Sequence, residues 1–144
     1  MPRFIYPIVA ALMICSCVSS RQIHIAVKEN DLGKVREYVM QGGIELKDSN
    51  GFTPLMLASY FGYTSIVSYL LEQDANVDQR DNKGWTALMY ASYYNYYDIV
   101  QILLDHNATV NLQNSEGHTA LYYGEQFRYE KTTDLLKEKG AKSF

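Results

Sequence analysis

Apolar residues in the middle of the chain recur at helical spacing. They lie three and four residues apart on the inward faces of two short predicted helices, roughly Pro54–Phe61 and Thr64–Gln73. These inward residues are Leu55, Ala58, Ile66, Val67, Leu70 and Leu71. Pro54 suits a first helical position, Thr53 can cap the exposed amides, and Gly62 suits the left-handed residue that ends a helix. The pattern therefore predicts two antiparallel helices joined by a tight turn.

The helix pair repeats along the chain with a period of 33 residues. Segments 48–55, 81–88 and 114–121 carry the same glycine, threonine and leucine positions, and the glycines are Gly51, Gly84 and Gly117. A weaker first copy precedes them, because Ile23–Ala26 aligns with Leu55–Ala58 at a spacing of 32 residues. A repeat of this length cannot bury its own apolar face, so we expect stability to arise between neighbouring repeats.

The repeated residues resemble the ankyrin repeat, whose period is 33 and whose signature reads Thr-Pro-Leu-His-x-Ala. The resemblance implies an all-α ankyrin-repeat solenoid of about four helix-turn-helix repeats joined by β-hairpin-like loops. The expected repeats cover about 22–47, 48–80, 81–113 and 114–142. In the last repeat Thr132, Thr133 and Lys137 replace apolar residues of the earlier copies. We expect them to make the last helix more polar where no fifth repeat covers it.

The first seventeen residues have the pattern of a secretory signal peptide, with Arg3 before the apolar run 8–14 and small residues after it. The end of this segment, Ile14-Cys15-Ser16-Cys17, resembles a bacterial lipobox, although Ile14 and Cys15 depart from the usual pattern. The resemblance implies lipidation of Cys17 and export to the periplasmic face of a bacterial membrane. Residues 18–22 are then a short linker and 23–144 the repeat domain. Secretion without a lipid, an uncleaved anchor and a misread start are the alternatives.

Composition and charge exclude several classes of function. The chain is 47% hydrophobic and 20% charged, as globular proteins are, and its net charge of −3 argues against a nucleic-acid partner. His24, His106 and His118 lie at different places in their repeats, and none has the i, i+4 partner or the cysteine neighbours of a metal site. We therefore expect no enzyme activity, no cofactor, no metal and no small-molecule substrate.

Aromatic residues, including thirteen tyrosines and one tryptophan, provide the candidate binding site. In ankyrin repeats, partner contacts usually come from the hairpin tips and the exposed side of the first helix. At the matching positions, the expected partner-binding residues are Phe52, Tyr60, Phe61, Trp85, Tyr93, Tyr94, His118 and Phe127. Such side chains often dominate binding energy; the alternative is that they fill the groove and contact one another. We expect Trp85, at a hairpin tip, to pack against little of its own chain, and Tyr63, Tyr96 and Tyr129 to pack between repeats.

Two functions follow from these expectations. The first is a non-catalytic interaction module: a membrane-tethered envelope adaptor or inhibitor that binds one protein partner through the aromatic ridge. The alternative is a structural or stress-protection component of the envelope without a discrete high-affinity partner. A compact aromatic surface favours the first, and weak, diffuse contacts favour the second.

Overall fold

The computed structural model describes residues 19–143, and over this range the backbone forms eight α-helices and no strand. The helices are α1 (Ser20–Lys28), α2 (Leu32–Met40), α3 (Pro54–Phe61), α4 (Thr64–Glu72), α5 (Ala87–Tyr93), α6 (Tyr97–Asp105), α7 (Ala120–Gln126) and α8 (Glu130–Glu138). They form four successive pairs, each a helix-turn-helix unit. The predicted all-α repeat stack is therefore confirmed, and the two helices predicted in the second repeat are correct to within one residue.

Local sequence signals explain where the helices begin and turn. The threonines before α3, α5 and α7 each accept a hydrogen bond from the backbone N–H group three residues later, at 3.2–3.3 Å. This satisfies one of the amides that a helix start leaves unpaired. The residue that ends the first helix of each pair has a positive φ; these residues are Asn30, Gly62, Asn95 and Arg128. The left-handed turn predicted at Gly62 is therefore present, and the other three repeats have one at the matching position.

The core runs as a continuous layer through the stack. The inner helices α1, α3, α5 and α7 pack side by side, and each outer helix packs against the inner helix of its own repeat and against neighbouring outer helices. Leu55, Ile66, Leu70, Leu103 and Leu136 are at most 1% exposed. Every inward residue predicted for the second repeat is buried. Stability therefore depends on contacts between repeats, as the pattern predicted.

The last helix pair corrects one expectation. Thr132 and Thr133 are buried rather than placed on the uncovered face, whereas Lys137 is exposed as expected. The Thr132 hydroxyl donates a 2.8 Å hydrogen bond to the side-chain oxygen of Asn95, in the preceding repeat. Thr133 packs against Gly124, where a β-carbon would lie 2.8 Å from the threonine hydroxyl. The two threonines are buried because a hydrogen bond and a glycine in the neighbouring helix accommodate them.

The start of the stack corrects a second expectation from the sequence. Residues 20–22 were expected in a linker, but they already belong to α1. Ser19 caps this helix: its hydroxyl accepts from the Gln22 N–H, and the Gln22 side chain accepts from the Ser19 N–H at 2.9 Å. This reciprocal capping box fixes the first helical turn. The predicted signal peptide (1–17) and Cys17 lie outside the described residues, and no described helix has the length and apolar character needed to span a bilayer.

Candidate protein-binding surface

The hairpin tips are held in shape by one polar residue per repeat. Asp48, Asp81 and Asn114 each accept hydrogen bonds from the backbone N–H groups two and four residues later, at 2.8–3.0 Å. A side chain that bonds its own following backbone in this way defines a tight turn. The residue four positions after the polar one is Phe52, Trp85 or His118. The turns therefore place one aromatic side chain per repeat at the same position on the concave side.

Neighbouring tips are also joined to each other. The backbone N–H of Asn82 donates to the carbonyl of Asn50 at 3.1 Å, and that of Ser115 donates to the carbonyl of Lys83 at 2.9 Å. The side chain of Asn82 adds a 3.1 Å bond to the carbonyl of Ser49. Because each bond joins one repeat to the next, the tips form one connected edge rather than separate loops.

Four rings stack face to face beneath this edge, and we call them the inner ladder: Phe52, Tyr90, Trp85 and Tyr123. The ring centroids are 5.1 Å apart for Phe52 and Tyr90, 4.8 Å for Tyr90 and Trp85, and 4.6 Å for Trp85 and Tyr123. The planes of each pair lie within 25–28° of parallel. Trp85 is therefore held between two tyrosines. The expectation that it packs against little of its own chain is wrong, because Tyr123 of the next repeat reaches across to it.

Tyr90 and Tyr123 were missed as members of the site. Both are buried, and both are anchored to the polar residue of a hairpin turn: the Tyr90 hydroxyl donates to Asp81, and Asn114 donates to the Tyr123 hydroxyl at 2.8 Å. The pKa of Tyr90 is raised far above its usual value, mainly by burial. The hydrogen bond to Asp81 and the negative charge of Asp81 raise it further. Burial also raises the pKa of Tyr123 to about 12. The sequence signal that could have identified Tyr90 and Tyr123 as members of the site is their spacing of 33 residues, which equals the period of the repeat.

A second row of rings lies nearer the solvent, and we call it the outer strip: Phe61, Tyr60, Tyr94, Tyr93 and Phe127. Successive rings meet edge to face, with centroids 4.9–5.2 Å apart and planes 73–84° from parallel. Phe61 and Tyr94 are each 38% exposed, and Phe127 is 43% exposed. Three of the four most exposed aromatic side chains of the described residues therefore lie in the outer strip, and the fourth is Tyr122 on α7.

The remaining predicted residue, His118, lies at the last hairpin. Its ring stacks on Tyr122 with centroids 3.8 Å apart and planes 3° from parallel, and its Nδ1 atom is 3.2 Å from the Glu116 carboxylate. It also meets the edge of Tyr123 at 5.9 Å. The structure thus brings the eight predicted residues together: Phe52 and Trp85 belong to the inner ladder, His118 lies beside its last ring, and the other five form the outer strip.

Two of the tyrosines that precede the outer helices, Tyr63 and Tyr96, pack between repeats as predicted. A β-carbon on Gly62 would lie 2.7 Å from the ring of Tyr96, so this ring closes over the turn of the preceding repeat. The Tyr63 hydroxyl contacts the carbonyl of Lys28 at 3.5 Å in the same way. Glycine suits position 62 for two reasons: the φ of 78° favours glycine, and the absence of a side chain leaves room for the Tyr96 ring.

A groove of about 460 Å³ lies between the hairpin tips and the two aromatic rows. It is lined by Asn50, Phe52, Tyr60, Asp81, Asn82, Lys83, Trp85, Tyr90 and Glu116. Its exposed formal charges, Lys83 and Glu116, are of opposite sign and lie at the tips. The groove can offer ring faces, ring edges and hydrogen-bond donors, which suit recognition of another chain.

The histidines lie apart from this groove or serve the fold. His24 is buried, and its Nε2 atom is 2.7 Å from the carbonyl of Phe52, so it links the first repeat to the second. His106 is exposed at the C-terminal cap of α6, and its ring contacts the carbonyl of Ile102. Across residues 19–143, the acidic, histidine and cysteine side chains form no cluster that could hold a metal ion.

Comparison with known families adds one finding. The family model described as ankyrin repeats, in three copies, matches residues 23–114, which is more than half of the 144-residue chain. A search of curated proteins gives no match.

Proposed function

The chain belongs to the ankyrin-repeat family, whose repeats are protein–protein interaction modules, and from this premise we propose that it is an envelope adaptor or inhibitor that holds one protein partner on its aromatic concave side. We further propose that Cys17 is lipidated and tethers the stack to a bacterial membrane. Catalysis is not part of this proposal.

The outer strip is the observation that carries the proposal. It is a continuous row of five rings, three of them more than a third exposed, held in place by contacts with one another and with the inner ladder. Rigid aromatic side chains lose little conformational entropy on binding, so they often provide the few residues that dominate an interface. The inner ladder supports the strip and contributes mainly to stability.

Partner capture tests the proposal. The full chain, purified with its cross-linked partners from its native envelope, should lose its main partner when Tyr94 and Phe127 are both changed to alanine. The matched control is the double change Tyr69→Ala, Tyr97→Ala, which removes two half-exposed tyrosines from the outer helices. Loss in both variants would place the interface elsewhere. Weak, diffuse capture that neither variant alters would favour a structural role in the envelope.

The tether is tested separately. If Cys17 is the lipidated residue, the wild-type protein partitions into detergent and carries acyl mass on its first mature residue, because two acyl chains give stable attachment where one is marginal. Cys17→Ser should leave an uncleaved precursor. A soluble, fully processed Cys17→Ser protein would show that an ordinary signal peptidase acts and that no lipid anchors the chain.

A further inference from the structure

The charge of the outer strip indicates what kind of segment it accepts. None of its five rings carries a formal charge at neutral pH, and burial beside Tyr60 raises the pKa of Tyr94 to about 12. The charged residues of the groove's rim, Lys83 and Glu116, stand at the hairpin tips. A charged partner side chain laid on the strip would lose water without gaining a counter-ion, and a cation would be compensated only by the ring faces. The strip therefore matches an uncharged segment.

The backbone of the protein excludes one way of holding such a segment. Residues 19–143 contain no strand, so this part of the chain offers no sheet edge for strand addition. Edge-to-face contacts leave successive rings standing at 73–84° to one another, which produces ridges and troughs rather than a smooth trench for a helix. Ridged aromatic surfaces of this kind accept the flat rings of prolines.

The spacing of the strip fits a polyproline II segment. The rings of the strip stand at or just after the C-terminal ends of the packed inner helices α3, α5 and α7, and helices packed side by side are about 8–10 Å apart. A polyproline II helix has three residues per turn and rises about 3.1 Å per residue, or about 9 Å per turn. A proline in every third position would therefore meet one repeat of the strip after another.

The hydrogen-bonding groups of the surface also fit. A polyproline II backbone makes no internal hydrogen bonds, so its carbonyl groups need donors from the protein or from water. Tyr60, Tyr93 and Tyr94 each bring a phenolic hydroxyl to the strip, and Trp85 has an indole N–H beside it. Tyrosine and tryptophan combine such a donor with a large apolar face.

Resting on the proposed function, we propose that the partner presents an uncharged, proline-rich segment in the polyproline II conformation, which lies along the outer strip with about one turn per ankyrin repeat. Nine residues, about 28 Å long, are enough to cross the three repeats that carry the strip. The segment is pre-ordered, so it loses little entropy on binding.

The test is calorimetric titration of the full chain in detergent with a peptide of nine prolines, acetylated and amidated at its ends. We expect saturable binding with Kd below about 1 mM. Glycine-serine and lysine peptides of the same length and end groups should bind at least tenfold more weakly. The double change Tyr94→Ala, Phe127→Ala should weaken binding of the proline peptide at least tenfold. The control Tyr69→Ala, Tyr97→Ala should leave the affinity for this peptide unchanged. Tyr94→Phe, which keeps the ring, should weaken it only severalfold.

Each contrary result has a separate meaning. Absence of proline-peptide binding overturns the inference, and equal binding of the glycine-serine peptide does so too, because it removes the role of the proline ring. Tighter binding of the lysine peptide would make the strip a cation site instead. If partner capture still depends on Tyr94 and Phe127 while the proline peptide fails, the proposed function stands and only the chemistry of the partner is wrong. The comparison of peptides on the wild-type chain needs no variant to fold.

Discussion

Replacing Trp85 with alanine should destabilise the fold rather than leave it unchanged. The change removes two stacked ring pairs, with Tyr90 and with Tyr123, each worth about 0.5–1.5 kcal/mol beyond burial. Full truncation of a buried tryptophan costs about 3–5 kcal/mol, and Trp85 is only partly buried. We therefore expect a loss of about 2–4 kcal/mol in the free energy of unfolding, a large share of the ~5–15 kcal/mol of an ordinary domain.

Urea unfolding followed by far-UV circular dichroism measures this loss. Trp85→Phe is the matched variant: it keeps a flat ring between the two tyrosines and should lose only about 1 kcal/mol. Phe127→Ala, at an exposed ring, should also change stability by less than about 1 kcal/mol. If Trp85→Ala unfolds at the same urea concentration as the wild type, the stacking contributes nothing. Trp85 would then be a free contact residue, as the sequence alone suggested.

Three further predictions test the stack. Leu103→Ala removes a fully buried side chain and should cost about 2–5 kcal/mol by urea unfolding; a cost below 1 kcal/mol would show that the site is not packed as described. Gly62→Ala should lower the free energy of unfolding more than Gly117→Ala does, because both glycines have a positive φ but only a β-carbon at Gly62 would meet a ring, at 2.7 Å. Equal losses would show that backbone strain alone sets the cost and that the ring contributes nothing. The pKa of Tyr123 is about 12 in the folded chain and about 10 when unfolded, so its contribution to stability is complete below pH 10 and is lost as pH rises from 10 through 12. Melting temperatures measured across that window should fall less steeply for Tyr123→Phe, and equal slopes would contradict the assignment.

Much of the fold could be predicted from sequence because its signals are local. A threonine three residues before an unpaired amide and a glycine or asparagine at a left-handed turn each act within one helix end. The period of 33 residues then repeats these signals, so the helix bounds of the second repeat were predicted almost correctly. The eight aromatic positions could also be placed on one side of the stack from the same alignment.

The details that were missed depend on contacts between repeats. Trp85 was expected to be free because its own hairpin offers little to pack against; its second partner, Tyr123, lies on the inner helix of the next repeat. Thr132 was expected on an uncovered face, yet its hydroxyl reaches Asn95 across the repeat boundary. A repeating pattern fixes the position of each residue within its unit. The rotamer that a long side chain adopts depends on the next unit, where the residue types differ.

The position of Trp85 also makes it a natural optical probe of one boundary. It is the only tryptophan in the chain, and its ring is stacked between one tyrosine of the third repeat and one of the fourth. Its emission should therefore change when the fourth repeat separates from the third, whereas circular dichroism sums the signal of every helix. In a repeat array, where neighbouring units are coupled in one dimension, ends can open before the centre. An emission transition that precedes the dichroism transition would show that this stack begins to unfold from its C-terminal end.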